Sequence, residues 1–412
     1  MSRARLRELL SLSLVGALMA LSGCSGSGSG SSISSGGGGG GGATSNVLAI
    51  TVNSGPTGNY VDGAFTSVTV CVPGSTASCQ TVDGILVDTG SSGLRILSSA
   101  LTISPTQQKD SSGNPIGECV AFVDGFTWGP VQTVDMTVAG ESAKSLPIQV
   151  ITSNFSTIPK SCLSNGSAED DLADLEANGI LGVGSFPQDC GGGCTQSGAN
   201  NPGLYYSCAG QNCTVTPESI SDQVQNPVVL FAADNNGVVI ELPAVSGAEA
   251  SVSGSLIFGI GTQSNNALGS ATVYTVDPSF GDLTTIFKNV TYNDETFLDS
   301  GSNAIYFLDS TTASIPTCTD LTFLYCPTTT QNLSATNKGA NGATGTVNFV
   351  VGNGDTLTAN PNDAAINGLA GPSPNSALFP VDWGLPFFFG RKVFTAIEGA
   401  DTPAGAGPYV AY

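Results

Sequence analysis

Ile85-Leu86-Val87-Asp88-Thr89-Gly90-Ser91-Ser92 joins an apolar run to a compact polar turn that presents one carboxylate. A second apolar stretch, residues 94–97, follows it. This reads as a strand, a tight turn and a return strand. The pattern recurs in the second half: Phe297-Leu298-Asp299-Ser300-Gly301-Ser302 is followed by Ala304-Ile305-Tyr306-Phe307-Leu308. Both turns place a hydroxyl, a glycine and a serine at the same offsets after the aspartate. One such turn is ordinary hairpin chemistry, because Asp, Ser, Thr and Gly all favour turns. Two, one in each half, frame the rest of the chain.

The 412 residues are 40% hydrophobic, enough for one large or two medium domains. A net charge of -21 opposes nucleic-acid binding, which needs a basic surface. The chain has no histidine, which removes Ser/His and Cys/His catalysis and the commonest metal ligand. No cofactor or metal is expected.

Arg3, Arg5 and Arg7 precede an apolar stretch at residues 9–21, as in an export signal. Leu21-Ser22-Gly23-Cys24 resembles a bacterial lipobox, which implies a signal peptide over 1–23 and a lipid on Cys24. An ordinary signal peptide with an incidental cysteine is the alternative. Ser25, rather than an aspartate, follows the cysteine, which in lipoproteins of this kind favours the outer membrane. Residues 24–45 then form a flexible Gly/Ser tether to a membrane anchor.

The folded part starts near Asn46. Strand patterns are read at residues 47–52, 67–72, 81–87, 133–138, 146–151, 228–231, 237–242, 254–259 and 271–276. Ser167-Ala168-Glu169-Asp170 resembles a capping box, with a short helix to about Ala177. Gly179-Ile180-Leu181-Gly182-Val183-Gly184 reads as a buried strand with close backbone approach. A Gly-apolar segment follows each aspartate turn at a similar distance, Gly179 after the first and Gly384 after the second. Two similar β-rich lobes are expected, over residues 46–250 and 251–412.

Apart from Cys24 there are ten cysteines, an even number suited to disulfides in an exported chain. The preferred local pairs are Cys71–Cys79 and Cys318–Cys326, with Cys119–Cys162 a looser expectation. Cys190, Cys194, Cys208 and Cys213 lie in a polar insertion over 187–226 and suit either disulfides or a zinc site.

Two carboxylates brought together from separate turns can share one proton. The ionised member then draws a proton from water and the protonated member donates to a substrate carbonyl. Thr89 and Ser300 are placed to hydrogen-bond across the lobe junction. Gly90 and Gly301 let backbone pass close to the carboxylates, and Ser91 and Ser302 are placed to orient them.

On these motifs the chain resembles the bilobal pepsin-like aspartic peptidases over about residues 46–412. Asp88-Thr89-Gly90-Ser91-Ser92 and Asp299-Ser300-Gly301-Ser302 match the two catalytic loops. Residues 179–184 and 384–394 match the segments that complete each loop, and 254–259 the strand towards the interlobe sheet. The chain is also similar to a family of bacterial lipoproteins carrying a pepsin-like domain of unknown function. The resemblance implies a mainly β, bilobal fold with an interlobe cleft, and Asp88 and Asp299 as a catalytic dyad. It further implies a monomer that takes an extended peptide or protein segment in the cleft.

Two departures stand out. The family's usual Asn-Leu-Trp after the first loop is Gly93-Leu94-Arg95 here. The matching flap, residues 122–129, offers Phe122, Asp124, Phe126 and Trp128 but not the family's tyrosine. Arg95 pointing inward would favour ionised carboxylates; as a surface residue on the return strand it would do nothing to them. Two functions follow: an aspartic endopeptidase, or a catalytically inactive binding or cell-envelope lipoprotein on the same scaffold.

Overall fold

A computed structural model describes residues 46–377 and 379–412. The expected signal peptide, Cys24 and the Gly/Ser tether lie outside the described residues. The fold is mainly β and bilobal. Its α-helices are single turns, Lys160–Leu163, Leu172–Leu175, Ser310–Ala313 and Gly354–Leu357, among the described residues. None of the described helices is long and apolar enough to cross a membrane.

One large sheet holds the first half of the chain and reaches into the second. Strand Val47–Asn53 pairs antiparallel with Gly63–Cys71 on one side and with Val252–Phe258 on the other. Val252–Phe258 pairs with Gly237–Glu241, which pairs with Lys392–Ala396, which pairs with Tyr409–Ala411. The end of the chain therefore returns to the sheet in which it began. A separate seven-stranded sheet carries the rest of the second lobe, including Val290–Leu298, Ile305–Phe307 and Val381–Trp383.

Alternation decides what these strands bury. Val87, Leu94, Ile96, Leu181 and Val183 pack in one continuous core with Leu298, Ile305, Phe307, Val381 and Trp383 of the second lobe. The apolar arms of both aspartate turns thus anchor in the same core, which ties the two turns to each other.

Two expectations are corrected. Residues 228–231 do not form a strand. Pro227–Leu230 is a 3-10 turn capped by Asn226, whose side-chain oxygen accepts from the Val228 N–H at 3.1 Å. Proline with its preset φ suits the first position of such a turn. Ser167-Ala168-Glu169-Asp170 is not a capping box either. Ser167–Ala168 pairs in parallel with Gly125 and Phe126. The helix starts after Asp171, whose carboxylate accepts from the Ala173 and Asp174 N–H groups at 2.8 and 3.0 Å. It stops at Glu176, which adopts φ 53°.

Cys71–Cys79, Cys119–Cys162 and Cys318–Cys326 are bonded, as preferred from the sequence. Cys190–Cys194 and Cys208–Cys213 also close locally. Their sulfurs are therefore committed to disulfides, which removes the thiolates a zinc site would need. Cys318, Cys326 and Asp355 approach one another, but both cysteines are likewise oxidised.

Candidate active site

Asp88 ends strand Cys79–Asp88, and the chain turns on its side chain. Asp88 Oδ1 accepts from the Gly90 N–H at 2.6 Å and the Ser91 N–H at 3.2 Å. Ser91 Oγ donates to Asp88 Oδ2. The second turn repeats the scheme. Asp299 Oδ1 accepts from the Gly301 N–H at 2.8 Å, and Ser302 Oγ donates to Asp299 Oδ2 at 3.1 Å. Each carboxylate is thereby oriented by its own loop, the use of Asp and Ser that turn chemistry favours.

Strand pairing holds each loop from behind. Gly179–Val183 runs parallel to Cys79–Asp88, with Gly182 opposite Asp88, and antiparallel to Ser92–Leu97. Val381–Trp383 runs parallel to Val290–Leu298 and antiparallel to Ile305–Phe307. The same arrangement serves both lobes.

The two loops lock together through the residues that follow the aspartates. Thr89 Oγ1 donates to the Leu298 carbonyl at 3.0 Å and accepts from the Ser300 N–H at 3.0 Å. Ser300 Oγ donates to the Val87 carbonyl at 2.8 Å and accepts from the Thr89 N–H at 3.1 Å. These four reciprocal bonds are buried. Replacing Thr89 by valine keeps the volume and strands the Ser300 N–H and Leu298 carbonyl. The expected loss is about 2–3 kcal/mol, read from urea unfolding; an unchanged midpoint would deny the grip a structural role.

Gly90 and Gly301 explain how close the carboxylates come. A Cβ on Gly90 would stand 2.6 Å from Asp299 Cγ, and one on Gly301 would stand 3.0 Å from Asp88 Cγ. Each aspartate therefore lies over the other loop's glycine, and no larger residue fits without displacing it. Gly90→Ala is expected to push Asp299 aside and to abolish whatever the pair does, with the fold retained. A crystal structure of the variant with both carboxylates unmoved would contradict this.

Asp88 is 6% exposed. The Asp299 carboxyl is raised to about 8, first by burial, then by the charge of Asp88 and a hydrogen bond shared with it. The Gly301 N–H and Ser302 hydroxyl pull the other way. Asp299 therefore holds a proton beside Asp88 through the acidic and neutral range. Its folded-state value lies above that of an unfolded aspartate. Between about pH 4 and pH 8 the folded chain binds the extra proton, so this group makes stability fall as pH rises. Asp299→Asn is expected to flatten that fall. Its unfolding midpoint should match the wild type near pH 4 and exceed it at pH 8; a wild-type-like slope would show that Asp299 titrates normally.

Arg95 is fully buried, which corrects the surface placement, and it does not face the dyad. Its guanidinium donates to the Ser92 carbonyl at 2.9 Å and pairs with Glu118 at 3.1 Å and Asp189 at 2.9 Å. Tyr205 OH donates to Asp189 at 2.7 Å and accepts from the Val224 N–H at 2.8 Å. Burial and Asp189 push the Glu118 carboxyl up, while Arg95 opposes them. The cluster joins the first aspartate loop, the flap strand Ile116–Ala121 and the 187–226 insertion.

The flap is a hairpin, Ile116–Ala121 with Gly125–Val138. Phe122 and Asp124 lie at its tip. Phe126 and Trp128 lie on the hairpin and are buried with Tyr206, Cys119, Cys162 and Cys208. The insertion strand Tyr205–Ala209 pairs with the outer edge of the flap, and Cys119–Cys162 bonds it to the following helix.

Sequence reading passed over Glu118, Asp189 and Tyr205. Their signal was Arg95 itself, since an arginine in an apolar strand requires buried counter-charge. It also passed over Tyr60, whose hydroxyl is raised first by burial and then by the charges of Asp124 and Glu176, with Tyr306 and Asp299 adding less.

The family model described as "Protein of unknown function (DUF3443)" matches residues 42–412. The chain belongs to the DUF3443 family. No curated protein matches it. Among solved structures, this DUF3443 chain is similar to the aspartic proteinase from Irpex lacteus, with 14% identity and a TM-score of 0.51. The similarity covers 89% of this chain and 96% of that one. At that identity the likeness concerns the fold: two β lobes of the pepsin-like, acid-protease type.

Proposed function

We propose that this chain is an aspartic-type endopeptidase, with Asp88 and Asp299 as the dyad. The observation that carries the reading is the crossed seating of the two carboxylates, each over the opposite loop's glycine, with one proton held at Asp299.

The chemistry follows from that proton. Asp88, ionised, takes a proton from a water molecule while the water oxygen bonds to the amide carbon. Asp299, protonated, donates to the amide oxygen. The resulting gem-diol collapses as the carbon–nitrogen bond breaks, and the departing nitrogen takes the proton held at Asp88. A proton returns to Asp299 from the diol, and the pair is again singly protonated. An extended peptide or protein segment suits the space between lobes, where backbone can pair as a strand does. The test is hydrolysis of a diverse peptide library from acid to neutral pH; rates that persist well above pH 8 would contradict a shared-proton dyad.

A second reading is a silent binding lipoprotein of the cell envelope. It is favoured by a flap that has no tyrosine and is fastened along its edge to the insertion.

The proposed location is the outer membrane, through a lipid on Cys24. Five disulfides fit an oxidising compartment. Cys24→Ala is expected to move the protein from the membrane to the soluble fraction of cells fractionated after export. Unchanged membrane retention would rule out this anchor.

A further inference from the structure

The first hairpin of the chain does something its strands do not require. Strands Val47–Asn53 and Gly63–Cys71 are joined by residues 54–62, longer than a tight turn needs. The loop is internally built: the Tyr60 N–H donates to the Ser54 carbonyl at 3.0 Å and the Gly58 N–H to the Gly55 carbonyl at 3.2 Å. Tyr60 packs edge-on against Phe65, with ring centroids 5.2 Å apart.

Its far end belongs to the other lobe. Val61 packs against Ala304, Cys318, Leu324, Ile366 and Leu369, an apolar cluster of the second half. The Asp62 N–H donates to the Ala364 carbonyl at 2.8 Å, and Asp62 Oδ1 accepts from the Ile366 N–H at 2.7 Å. Asp62 is fully buried and adopts φ 51°, a left-handed conformation that aspartate takes more readily than most residues. Burial holds its carboxyl well above the usual range, against the pull of the Ile366 N–H.

Between these anchors Tyr60 packs on the apolar cluster of Phe65, Leu86, Leu97 and Ile180, which also carries Phe122 of the flap tip; Leu86 lies two residues before Asp88. Asp124 of the flap tip, Glu176 and Asp299 all act on its hydroxyl. Asp124 also acts on the hydroxyl of Tyr306, which the second lobe places a few residues after Asp299. The loop therefore runs from the cluster behind the first aspartate turn, shared with the flap tip, to the cluster that holds Ala304 after the second turn.

We infer that residues 54–62 strap one end of the interlobe cleft shut, so that a bound chain extends from the dyad in one direction only. This narrows the substrate of the proposed peptidase from any extended segment to a chain with a free end close to the scissile bond, so that internal bonds far from an end are not cut. The cleavage part of the inference rests on the peptidase reading; the one-sided binding part does not.

The experiment separates the two. Peptides in which –CH(OH)–CH2– replaces the scissile amide are extended stepwise on either side, and binding is measured by calorimetry. Wild type is expected to gain about fivefold in affinity per residue on one side, as for one new backbone hydrogen bond, and to be insensitive to extension on the other. Val61→Ser/Asp62→Ala is expected to gain on both sides. Val61→Ala, which keeps both Asp62 hydrogen bonds, serves as the milder second variant and should show a partial gain on the closed side. Equal gains on both sides in the wild type would overturn the strap. So would a one-sided pattern unchanged in the folded variants, or no binding by any of the proteins. One-sided binding without hydrolysis of the matching amide peptides would uphold the strap and refute the peptidase reading.

Discussion

Asp88→Asn is expected to slow peptide hydrolysis by about 10³–10⁴-fold while leaving the fold intact, and Asp299→Asn by a similar factor. The asparagine keeps the Oδ1 acceptor for the Gly90 and Ser91 N–H groups, so the turn survives. What disappears is the group that accepts the proton of water. In Asp299→Asn the Gly301 N–H keeps its acceptor, and the shared proton is lost with the carboxyl. The two effects should not multiply, because both residues act in one proton circuit. A double variant no slower than either single one is the expected result, measured by product formation under single-turnover conditions. Cleavage that survives in both single variants at wild-type rates would remove the dyad from the mechanism. Absence of any cleavage in a folded wild type, over a broad library, would leave the binding reading in its place.

The largest expected effect on stability comes from Arg95→Met. The methionine fills much of the same space but leaves Glu118 and Asp189 facing each other, with side chains 0% and 5% exposed. Removing one partner of such a cluster costs about 3–5 kcal/mol, since charge is left in the interior without compensation. The loss has a pH signature. Without the guanidinium the Glu118 carboxyl, already pushed up by burial, binds its proton still more tightly in the folded state than in the unfolded one, so the variant's stability falls as pH rises from about 4. Its deficit should therefore be smaller near pH 4 than at pH 7. Adding Glu118→Gln and Asp189→Asn is expected to recover much of the loss. Urea unfolding of the single variant within about 1 kcal/mol of wild type at pH 7 would mean that the cluster does not hold loop, flap and insertion together.

That cluster also shows how a family position changes its work. The arginine stands where the resemblance leads one to expect a tryptophan linked to the flap. The link to the flap remains, through Glu118 on strand Ile116–Ala121, and a further one to the insertion is added through Asp189 and Tyr205. The insertion is thereby part of the wall behind the first aspartate loop.

Much of the fold was legible because it is written in local terms. The period of two in residues 47–52 and 67–72, the two Asp-hydroxyl-Gly-Ser turns and the glycine-flanked run at 179–184 each specify their own backbone geometry. The three disulfides preferred from spacing close short or intermediate loops, which chain connectivity alone favours. Residues 228–231 were misread for the complementary reason. An apolar run of four has no period that separates a strand from a turn, and Asn226 with Pro227 decided it. What Phe126 and Trp128 pack against was not legible, because alternation says that a side chain is buried, not which side of the hairpin it is buried against.

The sequence by itself determined the two aspartate turns, the hydroxyls that brace them and the β-rich duplication around them, because turn chemistry and strand alternation act between near neighbours. Only the tertiary structure decided that Thr89 and Ser300 exchange hydrogen bonds across more than two hundred residues. It likewise decided that Arg95 turns to Glu118 and Asp189, and that residues 54–62 reach the opposite lobe. Those contacts join segments distant in the chain, and their partners are chosen by which buried polar groups must be satisfied when the lobes close.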